Sequence, residues 1–491
     1  MNGPIEAHSH GAGGQGRSLQ APPIPPSLAL ILVAYLILGI QYAALTPAWQ
    51  VPDEPAHYNV IRQIAQTGVL PRLEPGDYDQ AYLERLTGER FPAELPLDRV
   101  QYQDYQPPLY YLLATPIFLF SSGSLLALRL FSVALGVGVL AFAFLAVQTV
   151  TGAASSLPAL TAGLLAFIPQ HVAMLAGVNN DSLSELLVAA GLYLLLREIG
   201  HTQAPSRPPA QSSSWPIGHW SFPHWSLGLA LWTYVLAIGL VLGLVLGLAF
   251  LTKVWAYLLA PAAAVMLLLR WRRAGWANWR PIARRAAQIF LPALLLGALY
   301  WGRNWLVCGP ADVLCGSWHN QVVLGQPRTI EWLAQYGWAG YLERFLRTTF
   351  QSFWGQFGWM GVVMDQRVYL ALLAFTVGLG LGAARAWARV ADRLTPAQRD
   401  SLAVLAAVAG VVAALYLYYN ATFVQFQGRY LFSALVPLGR AAAAGLSEWG
   451  DLAAGWLGRP AGRLLPWGVL LALAGLCLLA LYRFILPALA P

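Results

Sequence analysis

Residues 27–58 read SLALILVAYLILGIQYAALT (27–46) followed by PAWQVPDEPAHY (47–58). The first twenty residues carry no charge and are long enough to cross a bilayer as a helix. We interpret them as a retained signal anchor, because the region before them is too long for a secretory signal and no small-residue cleavage site follows. The motif Pro52-Asp53-Glu54-Pro55-Ala56-His57-Tyr58 then places two carboxylates and an imidazole where a membrane helix meets water.

Composition extends this interpretation to the whole chain of 491 residues, of which 57% are hydrophobic and 11% charged. Soluble domains carry roughly 25% charged residues. The deficit predicts an all-α polytopic membrane protein with about eleven spans. The predicted spans are 27–46, 128–150, 156–172, 180–198, 228–251, 254–270, 285–307, 366–386, 400–420, 428–446 and 466–487.

Charge along the chain predicts the orientation. The net charge of +8 would suggest a nucleic-acid partner on a soluble protein. Here the arginines concentrate in 270–285, 385–399 and 440–463, which all face the cytoplasm if the N-terminus is inside. This orientation requires the short apolar segment 107–121, which contains Pro116, to lie at the membrane surface. If that segment crossed the membrane, the arginine clusters that follow would face outward. We therefore expect the C-terminus outside and no nucleic-acid partner.

The same pattern divides the chain into three parts. Residues 1–26 are predicted to be a disordered cytoplasmic tail, 27–365 a transmembrane module that carries the candidate catalytic carboxylates, and 366–491 a set of C-terminal transmembrane helices. The module includes two large outer loops, 47–127 and 308–365, whose aromatic residues favour amphipathic helices in the interface. The inside segment 199–227 is typical of a flexible connector.

Asp53 has two interpretations. Pro55 suits the first turn of a helix, so Asp53 could simply cap that helix. Asp53 and His57 also share a helical face, which allows a general base or, with His57, a divalent-cation site. Asn179-Asn180-Asp181 is similarly either a helix start or a second acid on the outer side.

Basic residues on the outer side are candidates for binding an anion. Arg429 lies in Gln427-Gly428-Arg429-Tyr430, Arg303 ends a predicted span, and Lys253 is the single lysine of the chain. Arginine binds phosphate with two hydrogen bonds. For Arg303 the alternative is ordinary snorkelling toward the interface. Cys308 and Cys315 are either a disulfide or two buried thiols.

Four stretches resemble the GT-C superfamily of polytopic membrane glycosyltransferases. They are Val51–Tyr58, Tyr105–Tyr111, Val178–Leu183 and Phe426–Leu431, with Arg303-Asn304-Trp305 as a weaker fifth. The chain looks most similar to a bacterial family of predicted membrane proteins with the Pro-Asp-Glu-Pro-Ala-His signature. The likeness covers residues 27 to about 445.

The resemblance implies a catalytic carboxylate in the first outer loop and a sugar donor carried on a polyprenyl phosphate. Asp53 would be that carboxylate, with Glu54 a contender and Asp181 the second acidic position. The substrate-binding candidates are His57, Tyr58, Gln106, Asn180, Lys253, Arg303, Gln427, Arg429 and Tyr430. No cofactor is certain, and a divalent cation on Asp53 and His57 stays possible.

The expected function is transfer of a sugar, with inversion, to a lipid or cell-surface glycan at the outer face of the cytoplasmic membrane. One alternative is a lipid-linked glycan flippase, which would need a continuous polar path across the bilayer. Another is an O-antigen-type ligase or polymerase, whose site would depend on arginine more than on the early acidic pair. Sugar, acceptor and oligomeric state have no signature in the sequence.

Overall fold

The computed structural model describes residues 24–201 and 225–490 and is almost entirely helical. The predicted all-α polytopic membrane fold is confirmed. Most of the predicted tail 1–26 and of the predicted connector 199–227 lies outside the described residues.

The helices are α1 (Pro26–Leu45), α2 (Glu54–Thr67), α3 (Gln80–Gly88), α4 (Leu109–Phe120), α5 (Leu125–Thr151), α6 (Leu157–Ala166), α7 (Pro169–Leu175), α8 (Asp181–His201), α9 (Trp225–Phe250), α10 (Leu259–Ala274), α11 (Trp279–Cys308), α12 (Gly316–Val322), α13 (Thr329–Trp354), α14 (Gln366–Val390), α15 (Pro396–Thr422), α16 (Leu435–Leu457), α17 (Arg459–Leu479) and α18 (Leu486–Leu489). Short 3₁₀ segments cover Leu97–Arg99, Val254–Leu258, Ala391–Arg393 and Gly428–Ala434, and a π-helical segment covers Ala480–Ile485.

Seven helical segments among the described residues are long and apolar enough to span a membrane, and the bent pair α6–α7 would make eight. Helices also occupy the other predicted spans. One of these, α8, carries charged residues that include Glu185 and Glu198. The count of eleven spans therefore stays a prediction.

Two predicted spans differ in detail from the structure. The span at 156–172 is broken into α6 and α7, which meet at 70°. Pro169 explains the break, because proline removes a helical hydrogen bond and holds Ile168 in an extended conformation. The span at 428–446 begins later, at Leu435, after a 3₁₀ segment in which Gly428 packs directly on the α13 backbone at Thr349 and Phe353.

The two predicted outer loops contain helices, as expected, and the longest of them, α13, is kinked at Gly337. The first contains α2, α3 and α4, and α4 ends in Phe120, which is 92% exposed and suits a helix at the membrane surface. The second contains α12, α13 and the only described strands, the antiparallel pair β1 (Gln356–Phe357) and β2 (Val362–Val363). Gly358 and Met360, both with positive φ, lie in the turn between these two strands.

Candidate active site

The acidic motif begins with an unusual backbone conformation. Asp53 precedes α2 with φ 66° and ψ −3°, in the left-handed region, and its side chain makes no capping hydrogen bond. The interpretation of Asp53 as a helix cap is therefore wrong, although Pro55 does lie in the first turn. A left-handed non-glycine residue costs on the order of 1–3 kcal/mol and is often found at functional sites.

Asp53 instead points at Arg429, which lies 376 positions later in the chain. The Arg429 guanidinium donates to Oδ2 at 2.7 Å, and the Tyr102 hydroxyl donates to Oδ1 at 2.8 Å. Burial raises the pKa of Asp53, but the Arg429 charge, His57 and the Tyr102 hydroxyl outweigh it and hold the pKa below the usual aspartate value. In the resting site Asp53 is thus a carboxylate locked in an ion pair.

A second ion pair lies beside the first. Lys253 Nζ donates to Asp181 at 2.6 Å and to the Asn180 side-chain oxygen at 3.1 Å. The Asn180 amide donates in turn to Gln106 Oε1 and to the Thr252 carbonyl, both at 3.2 Å. Asp181 and Arg429 interact electrostatically, so the two pairs form one cluster.

The start of α8 also fits its expected role as a helix N-terminus. The Asn179 side-chain oxygen accepts from the backbone amides of Asp181 and Ser182 at 3.0 and 3.3 Å. The capping interpretation and the clustering interpretation of this motif are therefore compatible: Asn179 caps the helix, and Asp181 faces Lys253.

His57 borders the cluster from α2. Its Nδ1 lies 2.8 Å from the Tyr111 hydroxyl, and the two rings stack. Burial lowers the pKa of His57 to about 4 even though Asp53 opposes the shift, so the imidazole is neutral at pH 7. A neutral imidazole can both donate and accept a hydrogen bond, and it adds no positive charge to the cluster.

Arg429 retains unused hydrogen-bonding capacity. Its Nε is buried and has no partner among the described residues, and one Nη lies 3.8 Å from the Met174 sulfur. Tyr430 packs beside it and stacks on Trp255 with the ring planes 13° apart. The Gln427 amide donates to Gln425, leaving its buried oxygen without a partner in this part of the structure.

Glu54 has a different environment from its neighbour. It is fully buried, and each of its oxygens accepts two hydrogen bonds: Oε1 from Arg129 Nε and the Val178 amide, Oε2 from Arg129 Nη2 and the Trp49 amide. Arg129 also donates to the carbonyls of Ala43, Thr46 and Pro47 at the end of α1. A carboxylate with four donors has no lone pair left for a substrate proton, so we assign Glu54 to positioning the motif.

Two other predicted site residues lie outside the cluster. Arg303 donates to the Asn304 side chain and to the Pro71 carbonyl, in a small polar pocket that it shares with Asp104. The Tyr58 hydroxyl donates to the Gly123 carbonyl at 2.8 Å. Both contacts are structural in character.

No sequence pattern singles out Tyr102, Arg129 or Trp255. Tyr102 lies in a loop rich in tyrosine, where no single one stands out, and Trp255 is one of 20 tryptophans. Arg129 was hidden at the start of a predicted span, although an arginine in a membrane helix is itself a signal for a buried partner.

Metal binding gains no support from the side chains. No group of three or more His, Cys, Asp or Glu residues is arranged to bind a metal in 24–201 or 225–490. Asp53 and His57 are already engaged with Arg429, Tyr102 and Tyr111. These residues do not fit a metal ion as they stand, and we derive no step through one.

Two further features surround the cluster. Cys308 and Cys315 form a disulfide, which decides between the two alternatives for these residues. An apolar cavity of about 510 Å³ opens next to the Arg429 segment, and its wall includes Leu431, Leu435 and Phe353.

No family model matches the chain, and no curated protein matches it. Among solved structures, ArnT from Cupriavidus metallidurans in the apo state gives a TM-score of 0.50 at 15% identity, covering 94% of this chain and 73% of ArnT. The same protein bound to undecaprenyl phosphate gives 0.44 at 14% identity with the same coverage. The oligosaccharyltransferase of Archaeoglobus fulgidus in the apo form gives 0.47 at 12% identity, covering 94% of this chain and 55% of that one.

The likeness to apo ArnT shows a shared fold. The resemblance to the GT-C superfamily is therefore confirmed at the level of the fold. The narrower likeness to a family defined by the Pro-Asp-Glu-Pro-Ala-His motif stays a prediction.

Proposed function

We propose that this GT-C-fold chain is an integral-membrane glycosyltransferase that moves a sugar from a polyprenyl-phosphate donor to a lipid or glycan acceptor. The observation that carries the proposal is the ion pair between Asp53 and Arg429, next to a second pair and to an apolar cavity. A lipid-phosphate donor needs a fixed cation beside an apolar groove, and sugar transfer to a hydroxyl needs a carboxylate base.

The donor phosphate would bind Arg429. The guanidinium has an unpartnered Nε in the described structure, and arginine binds phosphate through two parallel hydrogen bonds. The isoprenoid chain would follow the apolar cavity that starts at Leu431, two residues beyond the guanidinium. ArnT, whose fold the chain shares, has been crystallised with undecaprenyl phosphate, and we extend that class of lipid to this chain.

Donor binding would also activate the base. While Asp53 is paired with Arg429, its lowered pKa makes it a weak base. A phosphate that competes for Arg429 loosens this pair, so burial again dominates and the pKa of Asp53 rises toward the operating pH. General-base catalysis is most effective when the pKa lies near that pH. Donor and base would thus be coupled through one guanidinium.

The proposed chemical step is an in-line displacement at the anomeric carbon. Asp53 takes the proton of an acceptor hydroxyl, and the hydroxyl oxygen forms a bond to the anomeric carbon. The bond between that carbon and the phosphate oxygen breaks on the opposite face, which inverts the centre. The electron pair leaves with the lipid phosphate, whose charge Arg429 stabilises. A positioned base contributes roughly 10²–10⁴ in rate.

Asp181, Lys253 and Asn180 would hold the sugar or the acceptor beside Asp53. We place this site at the outer face of the cytoplasmic membrane, because the arginine-rich ends of the helices lie at the other end and because the disulfide belongs in an oxidising compartment. The Asp181–Lys253 pair supplies both a hydrogen-bond acceptor and a cation there.

The test is turnover of purified Asp53→Asn protein with a defined polyprenyl-phosphate sugar. We expect at least a hundredfold loss, with the thermal unfolding temperature within a few degrees of wild type. Asp98→Asn is the matched control, because Asp98 lies exposed in the same outer loop. Wild-type turnover by Asp53→Asn together with loss in Arg429→Gln would instead favour the ligase or polymerase alternative.

A further inference from the structure

A second polar cavity, of about 470 Å³, lies at the opposite end of α16 from Arg429. The start of α6, the second half of α16 and the first half of α17 form its walls. Its polar lining residues are Ser156, Ser447, Asp451, Arg459, Arg463 and Trp467. None of these residues takes part in the candidate active site.

Beside the cavity, glycines allow the backbones of α16 and α17 to come into direct contact. A Cβ on Gly462 would collide with Ala454 and with the Gly450 carbonyl, so α16 and α17 are in backbone contact there. Gly450, Gly462 and Ala454 also line the cavity itself. The space between the two helices is therefore part of the helix packing and does not depend on a loop.

Helix α17 presents a regular stripe to this space. Arg459, Arg463 and Trp467 are spaced by four residues, so they lie one above the other on a single face. Neither guanidinium has a hydrogen-bond or ion-pair partner within the part of the chain that the structure describes. By contrast, the neighbouring Arg385 and Arg389 both pair with Glu448.

Two guanidiniums one helical turn apart match a phosphate in charge and in donor geometry. Asp451 on the α16 wall adds a carboxylate, which requires a hydrogen-bond donor on the same ligand. A phosphodiester that carries an ammonium or hydroxyl group supplies both kinds of partner. Inorganic phosphate fits the cavity less well, because at neutral pH its remaining negative oxygens would lie near the Asp451 carboxylate.

The rim of the cavity indicates the source of the phosphate. Trp456, Leu457 and Leu464 are 79%, 75% and 67% exposed at this end of the helices. Exposed apolar side chains of this kind suit contact with lipid, and tryptophan is enriched at the level of the lipid headgroups. Basic pockets between helices on the cytoplasmic side are typical headgroup sites.

We infer that this cavity binds the headgroup of a bilayer glycerophospholipid, with its phosphate between Arg459 and Arg463 and its ammonium or hydroxyl group at Asp451. The site lies on the face opposite the Asp53–Arg429 pair and is independent of the function proposed for that pair. The lipid there acts as a bound structural ligand and undergoes no reaction.

The experiment measures lipid retained on the detergent-purified full chain by native mass spectrometry, with added phosphatidylethanolamine or phosphatidylglycerol. We expect Arg459→Gln/Arg463→Gln to weaken retention at least tenfold. The matched control is Arg393→Gln/Arg399→Gln, which removes the same charge from two arginines that are exposed like Arg459 and Arg463 but do not line the cavity, and it should bind like wild type. Equal retention by both double variants would overturn the site.

Two further arms make the test specific. Arg463→Lys keeps the charge but cannot make the two parallel hydrogen bonds of a guanidinium. The amount of lipid retained should therefore fall several-fold at an unchanged unfolding temperature, and full retention of the lipid would overturn the phosphate assignment. Asp451→Asn should remove the preference for ethanolamine over choline headgroups, and an unchanged preference would overturn the role of Asp451. Displacement of the lipid by millimolar inorganic phosphate would overturn the lipid in favour of a soluble anion.

Discussion

Arg129 is expected to be the most sensitive position for stability outside the apolar core. Its side chain is 3% exposed and makes five hydrogen bonds, two to Glu54 and three to carbonyls at the end of α1. Arg129→Met would leave a fully buried carboxylate with only the two backbone amides of Trp49 and Val178. Removing one partner of a buried ion pair costs about 3–5 kcal/mol.

The assay is equilibrium unfolding of the purified chain in mixed detergent micelles. We expect Arg129→Met to lose about 3–5 kcal/mol of unfolding free energy. The double variant Arg129→Met/Glu54→Met should recover part of that loss, because no unpaired charge stays buried. A loss below about 1 kcal/mol, the range of an exposed ion pair, would refute the reasoning, and so would a double variant less stable than the single one.

Three other predictions follow from single side chains. Burial raises the pKa of Asp104 to about 7 despite the Gln63 amide. The unfolded value is lower, so stability is full below about pH 4 and falls as pH rises through 7; Asp104→Asn should therefore gain unfolding temperature relative to wild type between pH 5 and 8, and parallel curves would contradict this. Arg429→Gln should raise the KM for a polyprenyl-phosphate donor at least tenfold, since it removes the phosphate contact; an unchanged KM would place the phosphate elsewhere. His57→Phe should keep activity within about tenfold, because a pKa of about 4 makes His57 a weak base and its Nδ1 is already engaged with the Tyr111 hydroxyl; a loss equal to that of Asp53→Asn would assign it a direct role.

The apolar runs were sufficient to predict the helical membrane fold, because each span must hide its own backbone in lipid. The distribution of arginines among the loops was also informative. It predicts that Asp53, Asp181, Lys253 and Arg429 lie on the same side of the membrane, and the structure brings these residues together. Helix boundaries were less predictable. The break at Pro169 could have been expected from proline chemistry.

The distinction between Asp53 and Glu54 could not be made from the sequence. The two carboxylates are adjacent, and a left-handed backbone at Asp53 directs them to different partners. Arg429 lies 376 positions from Asp53 and Arg129 lies 75 positions from Glu54, and only the packed fold brings each arginine to its carboxylate. The role of Tyr102 could not be predicted either, because its loop contains several tyrosines that the sequence does not distinguish.

The central claim is that one guanidinium serves both the resting base and the donor phosphate. The affinity of Asp53→Asn for a polyprenyl phosphate, measured by calorimetry beside its turnover, tests this most directly. We predict that turnover is lost while the lipid binds as tightly as to wild type or more tightly, because Arg429 no longer has a competing carboxylate. Affinity that falls together with turnover would contradict the account.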